Sequence, residues 1–301
     1  MTVPAAVAHP GPRTALRPSG PVWTVLRLHR IALGIWIAYV SVTAGLLLWA
    51  WGPGRSGLGI DPHCAASTMN FCAGKGAYVG AVAWAEFLIG LVPLLAGVFA
   101  GGTLVGRELE LGTARLAWTQ GVRPARWLAA TLAVPAVFLI AGTTLLVLLR
   151  RLAATGDAAR LMENQWWQSS TTFGALGPAA AAWPLLGLAI GALAAFLMRR
   201  TVSGMGLAFF STLLATVLVG AARNAFVWPP SVTYTLNKGV RLHSEVSSTT
   251  CRSTGDTCVA GQLTGIHGFW QLHLMETATV LALTALLVLL THHILRRRVA
   301  A

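Results

Sequence analysis

Few side chains in this sequence could do chemistry. Nine aspartates and glutamates, eight histidines and four cysteines are spread over 301 residues. Enzymes that use such groups arrange them in recognisable motifs, but HExxH, GxSxG and GxxxxGK[ST] are all absent here. The sequence therefore does not favour an enzyme, and any ATP must be hydrolysed by a separate subunit. We expect the adjacent His292 and His293 to lie at lipid headgroups.

Two glutamates stand out because apolar residues surround them. Glu86 and Glu276 lie inside long apolar runs, where an acidic side chain is costly and often functional. One interpretation is a possible substrate path. The other is that a neighbouring group near the membrane interface neutralises or hydrogen-bonds each carboxylate. The second interpretation is favoured for Glu276, and both stay open for Glu86.

The four cysteines form two groups along the chain, Cys64 with Cys72 and Cys251 with Cys258. In an oxidising compartment, local pairs could form disulfides that staple two loops, although three pairings are possible in principle. A metal site is an alternative because His63 precedes Cys64, but no CxxC spacing occurs. We therefore predict possible disulfides and no metal.

Membrane-spanning helices are the elements predicted to position these groups. Hydrophobic residues make up 55% of the chain, charged residues 10%, and the mean hydropathy is +0.66. A helix needs roughly 20 apolar residues to cross a bilayer, and runs of that length recur. We expect an all-α polytopic bundle, with a disordered arm (residues 1–20) before a single domain (residues 21–301). The six predicted spans lie near residues 31–51, 79–101, 128–149, 176–198, 202–222 and 272–295.

The net charge of +13 indicates contact with a lipid bilayer rather than with nucleic acid, because the basic residues lie between the apolar runs. Basic residues are densest in the segments that share a side with the N-terminus. The positive-inside rule then places both termini in the cytoplasm and all four cysteines outside. Arg150 and Arg151 are exceptions, since they would lie on the external side.

Two sets of residues inside the spans affect helix packing. Small residues at intervals of four would let helix backbones approach closely in lipid; they are Gly97 with Gly101, and Gly187 with Gly191 and Ala195. Prolines inside the second, third and fourth spans each remove a backbone hydrogen bond, which we expect to bend the helix; they are Pro93, Pro135 and Pro184.

A polar segment, RELELGTARLAWTQGVRPARW at residues 107–127, separates the second and third spans. We predict that the second span continues into it as a helix ending at Gly112, where a left-handed conformation costs glycine little. Thr113 could cap a short following helix, and Pro124 could start the helix of the third span. The short helix could press on a cytoplasmic partner or rest on headgroups, and spacing leaves both open. Its apolar face would contain Leu111, Ala114 and Trp118.

The polar segment resembles the segment after the second span in the type-2 family of ATP-binding-cassette (ABC) export permeases, especially their small six-span actinobacterial members. Three other segments share the resemblance: VWTVLRLHR before the first span, GLAIGALAAFLMRRTVSGM across the fourth and fifth, and HGFWQLHLMETATVLALTALLVLLTHHILRRR at the C-terminus. The resemblance covers the six-span frame and not the external loops.

The resemblance implies a permease that a separate subunit drives. In such permeases the polar segment holds a coupling helix that docks on a cytoplasmic ABC ATPase, which binds ATP and magnesium, so this chain would hold no cofactor. An entrance helix before the first span, with Trp23, Arg27 and Arg30, would also contact the ATPase. The residues implied in ATPase coupling are Glu108, Glu110, Gly112, Thr113, Arg115, Gln120, Arg123 and Arg126.

The resemblance also implies a cellular location and a transport function. The chain would lie in the bacterial plasma membrane, pair with a second permease copy or a related permease, and export a hydrophobic or amphipathic substrate. A membrane sensor or scaffold without transport activity is an alternative that shares the fold. An intramembrane enzyme is a further alternative, which the absent motifs disfavour.

Overall fold

A computed structural model describes residues 30–56, 75–119, 123–155, 170–226, 232–235, 246–251, 257–263 and 266–300. Six of the helices there are long and apolar enough to cross a membrane. The predicted all-α bundle of six spans is confirmed. The predicted disordered arm, residues 1–20, lies outside the described part of the chain.

The spanning helices alternate with short elements. The six long helices are α1 (Arg30–Trp51), α2 (Lys75–Phe99), α5 (Pro124–Ala153), α7 (Ala179–Met198), α8 (Thr201–Phe226) and α9 (Ile266–Ala300). Three short helices lie between them: α3 (Gly106–Glu110), α4 (Thr113–Thr119) and α6 (Ser170–Leu176). A 3-10 turn, Pro53–Arg55, follows α1.

A small antiparallel sheet lies between α8 and α9, in addition to the helical bundle. Its strands are β1 (Val232–Thr235), β2 (Val246–Cys251) and β3 (Thr257–Leu263), in the order β1-β3-β2. The sheet was not expected from the sequence. Its strands are only four to seven residues long, and strands this short carry little sequence signal beside membrane-length apolar runs.

The fourth span begins three residues later than predicted. Leu176 belongs to α6, and α7 starts after Pro178, which occupies the N-cap position. Between the two helices, Gly177 lies against the ring of His273, and an added Cβ would overlap the ring atoms. The break therefore depends on a proline that starts the new helix and a glycine that admits an aromatic ring.

Helix α7 is the centre of the bundle. In its 18-residue apolar stretch, 67% of the residues are buried inside the protein. The corresponding share is 56% in α2 and 11% in both α1 and α8. The side chains packed around it include Val92 of α2, Leu128 of α5 and Leu295 of α9. Three prolines lie inside spanning helices, as expected from the sequence; they are Pro93 in α2, Pro135 in α5 and Pro184 in α7.

Glycines let α2 and α7 touch backbone to backbone. A Cβ added at Gly187 would overlap the carbonyl oxygen of Pro93, and one at Gly191 would overlap the carbonyl oxygen of Gly97. A Cβ at Gly97 would lie 3.2 Å from the carbonyl oxygen of Gly187. The predicted small-residue faces are thus confirmed, and they face each other.

A π-helical turn, Ala100–Leu104, joins α2 to α3. It holds Gly101, where an added Cβ would lie 2.8 Å from the carbonyl oxygen of Gly204 in α8, so α8 also approaches closely. Single π turns inside helices are rare and are frequent at functional sites. The consecutive glycines Gly101 and Gly102 are the sequence signal of this joint, which the sequence analysis missed.

Replacing Gly187 with alanine should destabilise the bundle, because the new methyl group would meet backbone rather than a movable side chain. We expect Gly187→Ala to lower the free energy of unfolding by about 1–3 kcal/mol, the usual cost of overpacking. The matched control is Gly206→Ala in α8, where an added Cβ meets nothing within 4 Å. Denaturant unfolding of the detergent-solubilised protein measures both, and equal stability of the two variants would contradict the packing argument.

Candidate functional site

The polar segment folds as two short helices joined by a sharp turn. Helix α3 ends at Glu110, and Gly112 takes the left-handed conformation at φ 73°, as the sequence predicts. Helix α4 follows from Thr113. The Thr113 hydroxyl donates to the carbonyl oxygen of Glu108 at 3.2 Å. This hydrogen bond links the start of α4 to α3.

The apolar face of α4 differs from the prediction at one position. Ala114 is buried, and Trp118 is half-buried against the core side chains of the bundle. Leu111 lies in the turn before α4 and is 64% exposed, so the prediction that it shares this face is wrong. The left-handed conformation of Gly112 breaks the helix, and helical spacing therefore does not continue across it.

Glu108 connects the polar segment to the start of α5. Its carboxylate accepts a hydrogen bond from the indole nitrogen of Trp127 at 3.1 Å. The Trp127 ring also meets Trp118 of α4 edge to face, with 5.8 Å between ring centroids. Helices α3, α4 and α5 are thereby held together through one indole.

Glu110 connects the same segment to the start of α8. Its carboxylate accepts hydrogen bonds from the backbone nitrogen of Thr201, at 2.8 Å, and from the Thr201 hydroxyl. The first backbone nitrogens of a helix lack intrahelical partners, so this carboxylate acts as an N-cap supplied by another helix. Arg199, at φ 54°, makes the left-handed turn that brings Thr201 into position.

Two other members of the predicted coupling set lie at the start of α5. Arg123 precedes α5 as its N-cap residue, and Arg126 lies in its first turn; both are exposed. Arg30, from the predicted entrance helix, is the exposed first residue of α1. The side chain of Arg115 and all of Gln120 lie outside the described residues, as do Trp23 and Arg27.

Glu86 is paired with an arginine inside the bundle. The Arg150 guanidinium lies 2.6 Å from the Glu86 carboxylate and donates a second contact at 2.8 Å. The other oxygen of Glu86 accepts a hydrogen bond from Thr172 of α6 at 2.8 Å. Arg150 is fully buried and Glu86 is 5% exposed. The structure therefore agrees with the neutralised interpretation of Glu86 and gives no support to a substrate path there.

Glu276 is also engaged by a neighbour. The indole nitrogen of Trp183 in α7 donates to its carboxylate at 2.8 Å. One turn before it on α9, the His273 ring stacks on Phe173 of α6, with 3.9 Å between centroids. These contacts join α6, α7 and α9, which agrees with the hydrogen-bonded interpretation of Glu276.

Arginines at this end of the bundle serve internal contacts. Arg55 donates to the carbonyl oxygens of Leu152 and Ala153 at 3.0 and 3.1 Å. Arg151 donates to the carbonyl oxygen of Leu176 at 2.8 Å and lies over the Trp270 ring, 4.9 Å from its centroid. Each guanidinium satisfies helix-end carbonyls that have no intrahelical donor.

The backbone register places Cys251 of β2 opposite Cys258 of β3. Directly opposed residues of antiparallel strands have Cα atoms about 4.5–5.5 Å apart, within the span of a disulfide. This supports the local pairing predicted for the last loop, which stays a prediction. Cys64 and Cys72 lie outside the described residues.

An apolar groove opens between α1, α2 and α5, with a cavity volume of about 360 Å³. Neither Glu86 nor Glu276 lines it. Its lining residues come from the first turns of α1, the last turns of α2 and the middle turns of α5, with Met205 of α8. The groove was not expected from the sequence, because residues far apart in the chain form it.

A family model described as ABC-2 membrane transporter related matches residues 28–223, which include the polar segment and its contact with Thr201. The chain belongs to this family. Comparisons with curated proteins and with solved structures found no match. This ABC-2 protein is therefore a multi-pass membrane permease subunit of an ABC transporter. Such permeases are generally non-enzymatic transport subunits that normally work with a cytoplasmic ATPase and dimerise.

Three residues of the ABC-2 permease emerge only from the structure. They are Thr201, which lies just before the predicted fifth span, Trp127, which ends the polar segment, and Arg150, which the positive-inside rule left as an exception on the external side. Each is the partner of a glutamate that the sequence did single out. No spacing rule could have joined them, since 19 to 91 residues separate the partners along the chain.

The Glu86–Arg150 pair should be structural rather than part of the transport path. Glu86→Ala removes the carboxylate that neutralises a buried guanidinium, so we expect a loss of about 3–5 kcal/mol in the free energy of unfolding. The double variant Glu86→Leu with Arg150→Met should recover most of it, because both charges are gone. Denaturant unfolding checks this; a Glu86→Ala protein as stable as wild type would restore Glu86 as a substrate-path candidate.

Proposed function

We propose that this permease exports a hydrophobic or amphipathic substrate and that a separate cytoplasmic ATPase drives it by docking on the polar segment. The observation that carries the proposal is the pair of glutamate contacts in α3. Glu108 holds the segment to α5, and Glu110 holds it to α8. A displacement of α4 would therefore be transmitted to the ends of two spanning helices, α5 and α8.

The proposed orientation, with both termini in the cytoplasm, draws support from how arginines are used. Around the polar segment, the arginines of the described residues are exposed and available to headgroups or to a partner protein; they are Arg30, Arg107, Arg123, Arg126, Arg199, Arg200, Arg296 and Arg297. At the other end, Arg55, Arg150 and Arg151 are half-buried or buried and bonded internally. The two exceptions to the positive-inside rule thus have a structural use that does not depend on sidedness.

The proposed coupling runs through the π turn. Helix α3 follows directly on Ala100–Leu104, whose glycines lie against α8. When two ATPase subunits close on ATP, the displacement of α4 would rotate α3 about this joint and move the start of α8 through Glu110. A second permease copy, or a related permease, would complete the pathway, because six spans form half of a usual ABC exporter core.

Docking is tested by co-purification from native membranes. We expect a soluble ABC ATPase to co-purify with the tagged permease. Arg115→Glu should reduce its recovery, because the substitution reverses a charge in the helix that we propose docks on the ATPase. The control Arg297→Glu reverses an exposed charge at the same end, outside the polar segment, and should retain the ATPase. Labelling of Thr113→Cys by an impermeant reagent outside intact cells, in a variant without the native cysteines, would refute the orientation and the docking together.

Substitutions in the contact between Glu110 and Thr201 of α8 should affect ATP hydrolysis rather than ATPase binding. Glu110→Gln and Thr201→Val should each leave the ATPase bound but lower ATP hydrolysis by the reconstituted complex, since docking persists while transmission weakens. Their effects should be non-additive in the double variant, because both weaken the same contact: Thr201→Val removes its hydroxyl donor, and Glu110→Gln removes the charge of its acceptor. Ser203→Ala, in the same helix turn, is the control. Loss of ATPase association in Glu110→Gln would instead make Glu110 a direct docking residue.

A further inference from the structure

We propose that the groove between α1, α2 and α5 binds one acyl chain of an anionic membrane phospholipid. The phosphate would lie at the exposed arginines beside the groove. This inference goes beyond the proposed function and does not depend on an ATPase, since it concerns the permease and its bilayer alone. It assigns a ligand site to the groove, with a headgroup position that adjoins the first residue of the polar segment, Arg107.

The groove is apolar because its potential polar groups are already bonded. The indole nitrogen of Trp36 donates to the carbonyl oxygen of Phe138 at 3.0 Å, and the Tyr39 hydroxyl donates to the carbonyl oxygen of Leu88. Thr103 donates to the carbonyl oxygen of Phe99 at 3.3 Å. Because all three donors are bonded to backbone carbonyl oxygens, none of them is available to a polar ligand. The wall that these side chains form is therefore suited to a hydrocarbon chain.

The walls of the groove are fixed in shape. The rings of Trp36 and Tyr39 stack with 5.9 Å between centroids. Trp36 also lies against Gly142 of α5, where an added Cβ would come within 2.6 Å of the indole. Lipid tails are as apolar as these side chains, so preference for the groove must come from close contact with a rigid concave surface.

Position and size point to a single lipid chain. Ile35 and Leu95, which line the groove, are 66% and 48% exposed on spanning helices, where the surrounding medium is lipid. Val92 and Ala96, at 0% and 5% exposure, form the deep part. A volume of about 360 Å³ is at the small end of ligand pockets. A helix about 10–12 Å wide would not fit into it.

Charge at the rim selects the headgroup. Arg30 is exposed two residues before Ala32, which lines the groove, and Arg107 is exposed one helical turn after Thr103, which also lines it. Basic residues at the end of spanning helices attract anionic headgroups. A phospholipid whose chain enters the groove would therefore place its phosphate near these guanidinium groups.

The test uses the permease alone in nanodiscs with photoreactive phospholipids. Two probes carry the same diazirine-labelled acyl chain, one on phosphatidylglycerol and one on phosphatidylcholine, and labelled peptides are mapped by mass spectrometry. We expect phosphatidylglycerol to label Val92–Thr103 and the facing part of α5 more than phosphatidylcholine does. Val134→Trp fills the groove and should lower that labelling about fivefold or more.

The control is Val137→Trp on the same helix, because Val137 is 64% exposed and lies outside the groove lining; it should label as wild type does. Arg30→Gln should abolish the preference for phosphatidylglycerol while the groove stays intact, so it carries the test if Val134→Trp does not elute as a folded species. Equal labelling by both lipids, or labelling unchanged in Val134→Trp, would show annular lipid only and overturn the proposal.

Discussion

Backbone contact between α2 and α7 is the constraint on which the rest of the permease depends. In lipid there is no hydrophobic force to hold helices together, so close packing must supply the association energy. Gly97, Gly187 and Gly191 remove the side chains that would keep the backbones apart. This contact makes α7 the centre of the bundle. It also fixes the position of the last turn of α2, and therefore the position of the polar segment that follows it.

The four carboxylates in the described part of the chain each join helices. Glu86 joins α2 to α5 and α6, Glu276 joins α9 to α7, Glu108 joins α3 to α5 and Glu110 joins α3 to α8. A buried carboxylate costs several kcal/mol unless a donor meets it, and the two buried ones, Glu86 and Glu276, each have a donor. The four contacts divide into two sets: two hold the end opposite the polar segment, and two link that segment to the spans.

The two ends of the bundle consequently differ in how they treat positive charge. Arginines beside the polar segment stay exposed, whereas those at the other end satisfy carbonyl oxygens or neutralise Glu86. An exposed guanidinium is free to meet a phosphate or an acidic partner surface. The same end carries the π turn, the short helix α4 and the apolar groove, so ligand binding and mechanical coupling would share one half of the molecule.

The sequence by itself determined the features that depend on local composition: six spans to within a few residues, the glycine faces, the turn at Gly112 and the family of the polar segment. These follow from apolar length, small-residue spacing and backbone preference, which neighbouring residues encode. Only the tertiary structure decided that Glu86 meets Arg150, that Glu110 caps α8, that Gly177 separates α6 from α7, and that a groove opens among three helices. Such partners lie far apart in the chain, and packing alone brings them together.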